Sequence, residues 1–379
     1  MKAVYWRPHK VSRVELSVIA IVSVLLFAGV EQLKVTEEQP YLSTKLEAAE
    51  LAAQAIEVLR AARLGLAIEI DATVDPAQSG LLGEAMSPVT SDVGSLIAKQ
   101  TSVNPNFAAV VVHYLKQVGV MPGDVVAIGC SGSFPAVNVA VYAAVTAIGA
   151  RPIVISSVAG SQWGANEPRF MWPDMERVLR EKRVFDIRSE AASRGGVEDR
   201  ALGISREGRG LIDQAIERNG LTALKPENYQ QSVEARMRLY AEKANGPIKA
   251  YVNVGGGTTS VGTKVGKDLF LPGVNRTSPR GLPVDSVMSR FVNDGVPVIH
   301  LVKLKRIALE NGLPVAPAVA QRVGQGGIYY RERPNRVLAL LAVLVIALLL
   351  LAFIRRDFGA RLFRRRLGQD TGPAAEPMV

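Results

Sequence analysis

Residues 129–133 read Gly-Cys-Ser-Gly-Ser, between the apolar run Val125–Ile128 and an apolar stretch that opens on Pro135. Three chemistries fit these letters. Gly129, Gly132 and Ser133 let the backbone turn sharply, and Pro135 suits the first position of a helix whose free amides point back at the loop. Those amides and the hydroxyls of Ser131 and Ser133 would suit a carboxylate or phosphate, helped by the helix dipole. The same letters approximate a nucleophile elbow, small-x-Ser-x-small, with Ser131 at the apex and Ser133 where glycine is usual. A hydrolase then needs a base, and the well-placed histidine is His300, closing "VPVIH", with Asp285 or Asp294 before it. The chain order Ser, Asp, His is permitted and is also easily met by chance. Cys130 is an alternative nucleophile, although a cysteine in a strand is more often a small buried apolar group. The third reading is a turn with no chemistry.

A second junction, "YVNVGGGTTSVGTKVG" from Tyr251 to Gly266, again follows a strand-like run and offers Gly255, Gly256, Gly257, Thr258, Thr259 and Ser260. No Gly-Lys-Ser/Thr closes it, so it is not a Walker loop, and no cofactor is expected from it. Two such loops leaving neighbouring parallel strands converge at the carboxyl edge of the sheet, where open α/β sheets bind ligands. Gly132 belongs with this expected substrate-binding set. Between the loops lies "SSVAGSQWGANEPRFMWPDMERVL", in which Trp163, Asn166, Arg169 and Trp172 read as a substrate-contact or lid segment, or as side chains that pack a long loop down. Asp174 and Glu176 read as acidic first-turn residues of the next helix. His113 sits beside the apolar stripe of its helix and reads as a flanking residue.

The elements that must position these loops alternate between helical and strand-like patterns. That alternation predicts an α/β fold with an open, mostly parallel sheet and helices on both faces. Strands are expected at Val125–Ile128, Pro152–Ser156, Ile248–Val254 and Val296–Val302. Helices are expected near Pro173–Lys182, Arg206–Arg218, Glu227–Ala244 and Lys303–Asn311. Thr44 with Glu47 forms a capping-box pattern ahead of the stripe Leu46, Ala49, Ala53, Ile56 and Leu59. Asn104 and Pro105 begin a helix with Phe107, Val110, Val111, Tyr114 and Val118 on one face.

The chain has 379 residues and a formal charge of +10, but residues 31–330 carry 32 Lys and Arg against 30 Asp and Glu, leaving +2 there. The excess sits at the two ends, which argues against nucleic acid as a partner and for membrane orientation signals. Leu16–Val30, "LSVIAIVSVLLFAGV", extended to 14–33, predicts a first transmembrane helix, with a cleaved signal peptide as the rival reading. Val337–Ile354 is eighteen apolar residues without a break and predicts a second, followed by Arg355, Arg356, Arg361, Arg364, Arg365 and Arg366. The positive-inside rule puts residues 1–13 and 355–379 in the cytoplasm and 34–332 outside, in a cell membrane. The tail "GQDTGPAAEPMV" reads as disordered. One cysteine and three histidines exclude a disulfide framework and a Cys-built zinc site. Metal sites made of carboxylates alone stay open; none is expected.

Over "GDVVAIGCSGSFPAVNVAVYAAVTAIGARPIVISSVAGSQWGANEPRFMWPDME" and "YVNVGGGTTSVG", and across most of 40–330, the sequence resembles the bacterial family of poly-gamma-glutamate system proteins. The resemblance implies a membrane-bound accessory role in making or exporting poly-γ-glutamate, beside the membrane subunits of its synthase. It assigns no catalytic residue. A polymer with a free carboxylate on each unit suits amide-rich loops at helix starts. The alternatives are a Ser131-dependent hydrolase or transferase acting on that polymer, and a scaffold whose loops are only turns.

Overall fold

The computed structural model describes residues 13–262, 269–277 and 285–366. The basic segment before residue 13, the end of the second glycine-rich junction through Gly266, and the tail from 367 lie outside the described residues. The chain divides into two compact units, Glu38–Tyr330 and a second one built from the two ends.

In the larger unit a seven-stranded sheet has the order β5-β4-β3-β2-β6-β8-β7. The strands are β2 (Val125–Ser131), β3 (Arg151–Ser157), β4 (Ser189–Ser193), β5 (Thr222–Leu224), β6 (Ile248–Val254), β7 (Gly273–Asn275) and β8 (Val298–Leu301). All neighbours pair parallel except β7, which runs antiparallel on β8. The strand order reverses between β2 and β6. The α/β class and the mostly parallel sheet are therefore as expected.

β2 shows why the fold buries both faces. Val126, Ile128 and Cys130 enter one apolar cluster with α2 (Leu42–Gly65), α4 (Phe107–Gln117) and α5 (Pro135–Ile148). Val125 and Ala127 enter another with α8 (Tyr229–Lys243) and α10 (Val287–Asn293). Successive side chains alternate sides, so a strand covered on both faces must be apolar throughout. Each fully buried Val or Ile contributes roughly 1.5–3 kcal/mol. α5 has no polar face because it lies over the middle of the sheet; twelve of its residues are buried.

Several local expectations are corrected. α2 begins at Leu42 behind Tyr41, which is left-handed at φ 62, so Thr44 lies inside the helix and no Thr44–Glu47 capping box forms. Ala53 is half-buried, and Ala48, Ala52 and Ala55 fill the contact instead. α6 (Trp172–Glu181) starts on Trp172, which is fully buried and donates its indole N–H to Ser156 Oγ at 3.2 Å, so it is a core residue rather than part of a loop. Glu176 is no exposed first-turn acid. It is buried, accepts from the Tyr142 hydroxyl, and accepts from Ser189 N at 2.9 Å and Ser189 Oγ at 2.8 Å. Burial raises its carboxyl's pKa, outweighing the opposing pull of those hydrogen bonds. Asp174 caps α6 by accepting from Met171 N at 2.9 Å, and it also holds Arg218 and Asn219. The strands β4, β5 and β7 extend the sheet beyond the expected four.

In the second unit, α1 (Arg13–Gln32) packs along α12 (Arg336–Arg366), and β1 (Lys34–Glu38) pairs with β9 (Tyr330–Pro334). Within α12, Arg336–Phe353 has mean hydropathy 2.9 and is long and apolar enough to cross a membrane. The apolar stretch of α1, Leu16–Gln32, is shorter.

Candidate functional site

The two glycine-rich junctions do meet. A Cβ placed on Gly255 would lie 3.6 Å from Ser131 Oγ. Between them, at the carboxyl ends of β2, β3 and β6, a cavity of ≈ 820 Å³ opens at the reversal of strand order. This is where an open α/β sheet is expected to bind a ligand. Ser131, Ser133, Gly256, Gly257 and Thr258 line it; Gly132, Gly255 and Thr259 stand behind the wall.

The first loop is built differently from an anion cradle, because its amides are already used. Ser131 N donates to Asn138 Oδ1 at 3.3 Å, Gly132 N to the Ser157 carbonyl at 2.7 Å, Ser133 N to Ser131 Oγ at 3.2 Å and Phe134 N to the Ser131 carbonyl at 3.1 Å. Asn138, buried on α5, also donates back to the Ser131 carbonyl at 2.9 Å. The amide-cradle expectation is therefore corrected for this loop, which offers hydroxyls rather than backbone donors. A Cβ on Gly132 would fall 2.2 Å from the Val158 carbonyl oxygen, so only glycine lets the loop seat against the segment after β3. The Gly132 carbonyl accepts from Ala165 N at 2.7 Å on that same segment.

The second loop turns at Gly255, whose φ of 78 favours glycine. Its shape is held by Asn253, which donates to the Gly255 carbonyl at 2.7 Å and meets His300 Nδ1 at 3.1 Å. Thr258 Oγ1 accepts from Glu198 N at 2.8 Å, which leaves the hydroxyl proton to donate. Thr259 is buried and its hydroxyl lies outside the cavity wall.

The expected Ser, Asp, His set does not assemble. His300 pairs in register with Asn253, which pairs with Gly129, so His300 lies two strands across from β2 and two residues below Ser131. At ordinary strand spacing and rise that is a Cα separation of about 12 Å. The ring is fully buried and orients Asn253. Asp285 is held by Arg290 at 2.8 Å, and Asp294 ends α10. Cys130 contributes to the cavity wall, but its thiol is buried beside Tyr142 and burial raises its pKa, so it is no thiolate nucleophile.

Trp163 and Asn166 do not line the cavity. Asn166 is fully buried and staples its loop to residues 84–90, accepting from Glu84 N at 2.9 Å and donating to the Glu84 carbonyl at 2.8 Å and Thr90 Oγ1 at 2.9 Å. Trp163 is half-buried at φ 56, and its amide donates to the Glu84 carbonyl at 2.8 Å. Both fix the segment that closes over Gly132.

The residues that sequence reading missed are cations. Lys99, on α3 (Leu96–Ser102), reaches into the wall with 1% of its surface exposed. Its Nζ donates to the Ser133 carbonyl and to Ser161 Oγ at 2.9 Å, and lies 4.1 Å from the centre of the Phe134 ring. Burial lowers its pKa to about 7. Lys303, Lys305 and Arg306, at the start of α11 (Leu304–Glu310), line the facing side, with Asp92 and Glu310 as the acids of the described lining. Arg306 pairs with Glu310 at 2.7 Å. Among the described residues no group of three or more His, Cys, Asp or Glu is placed to hold a metal ion. The chain matches no protein-family model, no curated protein and no solved structure.

Proposed function

We propose that this is a membrane-anchored accessory protein of poly-γ-glutamate synthesis or export, whose α/β unit captures carboxylates of the polymer in the cavity between the Ser131 and Gly255 loops. The observation that carries the reading is the cavity's chemistry. Serine and threonine hydroxyls and three cations, Lys303, Lys305 and Arg306, face one space at the sheet's point of reversal, with the buried Lys99 in its wall. Cations outnumber acids there although the unit as a whole is almost neutral, which suits local grip on a few carboxylates rather than a track for a long polyanion. The sequence resemblance supplies the polymer's identity.

The test uses the full chain in detergent or nanodiscs and calorimetric titration with poly-γ-glutamate. Lys303 sits at φ 50, which asparagine tolerates, so Lys303→Asn with Lys305→Gln removes two charges without straining the backbone. The expected result is an affinity loss of about tenfold or more at low salt, from about 1 kcal/mol per removed cation. No binding by the wild type, or equal affinity in the double variant, sinks the reading.

The anchoring is part of the same proposal: α1 and α12 cross the cell membrane, both termini face the cytoplasm, and the α/β unit lies outside, beside the membrane subunits of the synthase. A reporter active only in the cytoplasm, inserted near residue 200 of the full chain, is expected to stay silent. A strong signal reverses the topology.

A further inference from the structure

A serine hydrolase or transferase needs a base within hydrogen-bond reach of its hydroxyl. Among the described residues none is placed so beside Ser131, but another serine on the same cavity has one. We propose that Ser161 and Lys99 form a serine–lysine acyl-transfer pair, Ser161 Oγ the nucleophile and Lys99 Nζ its general base, acting on an amide bond of the chain held in the cavity. The substrate class rests on the carboxylate-capture reading; the pair itself does not.

The geometry is specific on both sides. Ser161 and Lys99 both line the cavity, 2.9 Å apart from Oγ to Nζ. Ser161 is fixed by its own backbone: its amide donates to Ser133 Oγ at 3.0 Å and its carbonyl accepts from Gly164 N at 2.9 Å. Lys99 is fixed by α3, which Ser95 caps and which packs on α11. Among the described residues no carboxylate partners Nζ, whose contacts are the Ser133 carbonyl, Ser161 Oγ and the Phe134 face. A neutral amine fits those surroundings: one N–H goes to the carbonyl, the ring face takes the other, and the lone pair receives the Ser161 O–H. Burial supplies the neutral form, because it brings the ammonium's pKa down to about 7, and a lysine in water would stay protonated. Among the described residues the charged groups sharing the cavity wall are Asp92, Lys303, Lys305, Arg306 and Glu310.

The step balances without a redox partner. Ser161 Oγ attacks the amide carbonyl carbon and its proton passes to Lys99 Nζ. The C–N bond breaks as Lys99 returns that proton to the departing amine, leaving an acyl ester on Ser161. Water, or an acceptor amine, gives a proton to Lys99 and attacks the ester; the C–Oγ bond breaks and Oγ is reprotonated.

The test treats the full chain in detergent with a fluorophosphonate ester and maps the adduct by peptide mass, while polymer binding is measured on the same preparation. The expected result is one adduct, on Ser161, forming at a rate that rises through about pH 7 in the wild type. Lys99→Arg keeps a tether but stays protonated, and is expected to slow labelling by about 100-fold or more. Polymer binding with no adduct on Ser161 at pH 8, or labelling that ignores Lys99, leaves the pair a structural tether and overturns the proposal. Labelling of Ser161 without polymer binding upholds the pair and removes the capture reading instead.

Discussion

Arg236→Met is expected to destabilise the α/β unit by about 3–5 kcal/mol, the cost of leaving a buried charge without its partner. Arg236 and Asp199 have side chains only 2% and 7% exposed. The guanidinium spans the carboxylate and the hydroxyls of Ser157 and Ser193, at 2.8 and 2.9 Å, and so ties α8 to the ends of β3 and β4. Ser157 lies on the cavity wall, so this network underlies the candidate site without entering its chemistry. Urea unfolding followed by tryptophan fluorescence, which buried Trp172 reports, measures the loss. Adding Asp199→Asn removes the stranded charge, and asparagine suits the left-handed φ of 60 at that position. The double variant is expected to recover more than half of the loss. A single variant within about 0.5 kcal/mol of wild type would contradict the assignment of a buried, coupled pair.

The second large effect is a pH dependence that belongs to Lys99. Its pKa is about 7 in the folded chain and 10.5 in the unfolded one. Between those values the unfolded state binds more protons than the native state, so this residue makes stability rise with pH, and its contribution is at its lowest below pH 7. Lys99→Met keeps the apolar stem and removes the titration. Relative to the variant, the wild type is expected to gain about 2 kcal/mol between pH 7 and pH 9. Unfolding midpoints of both proteins at several pH values check this, and parallel profiles would show that Lys99 is not desolvated as the structure has it. The prediction is independent of catalysis and holds even for a purely structural lysine.

How much of this was legible in the sequence differs by element. β6 matches its expected bounds, Ile248–Val254, because a buried parallel strand is an apolar run between turn residues. α7 matches at Arg206–Arg218, with Ser205 as its cap accepting from Gly208 N at 3.0 Å. β4, "SEAAS", escaped because serine and alanine have little strand preference; its neighbours β3 and β5 impose the conformation. β5 and β7 are three residues each, too short for any periodic signal. The two glycine-rich loops were legible as turns and as neighbours. That the first one's amides are spent was not, since their acceptors include Asn138 and Ser157 on other elements.

Sequence alone therefore determined the α/β architecture, the sheet edge at which the two loops meet, and the apolar stretches at the chain ends. These rest on residue periodicity and turn chemistry, which are local properties. Only the tertiary structure decided which side chains share the cavity. It took His300 and Cys130 out of the chemistry by burying each on a wall of the sheet, and turned Asn166 and Trp172 from contact residues into packing. It also set Lys99 beside Ser161, sixty-two positions away. "LIAKQTS" gives no sign of this lysine's role, because the tuning of an amine depends on the water removed from around it. That removal is the joint work of α3, the loop after β2 and the loop after β3, segments that meet only once the sheet is formed.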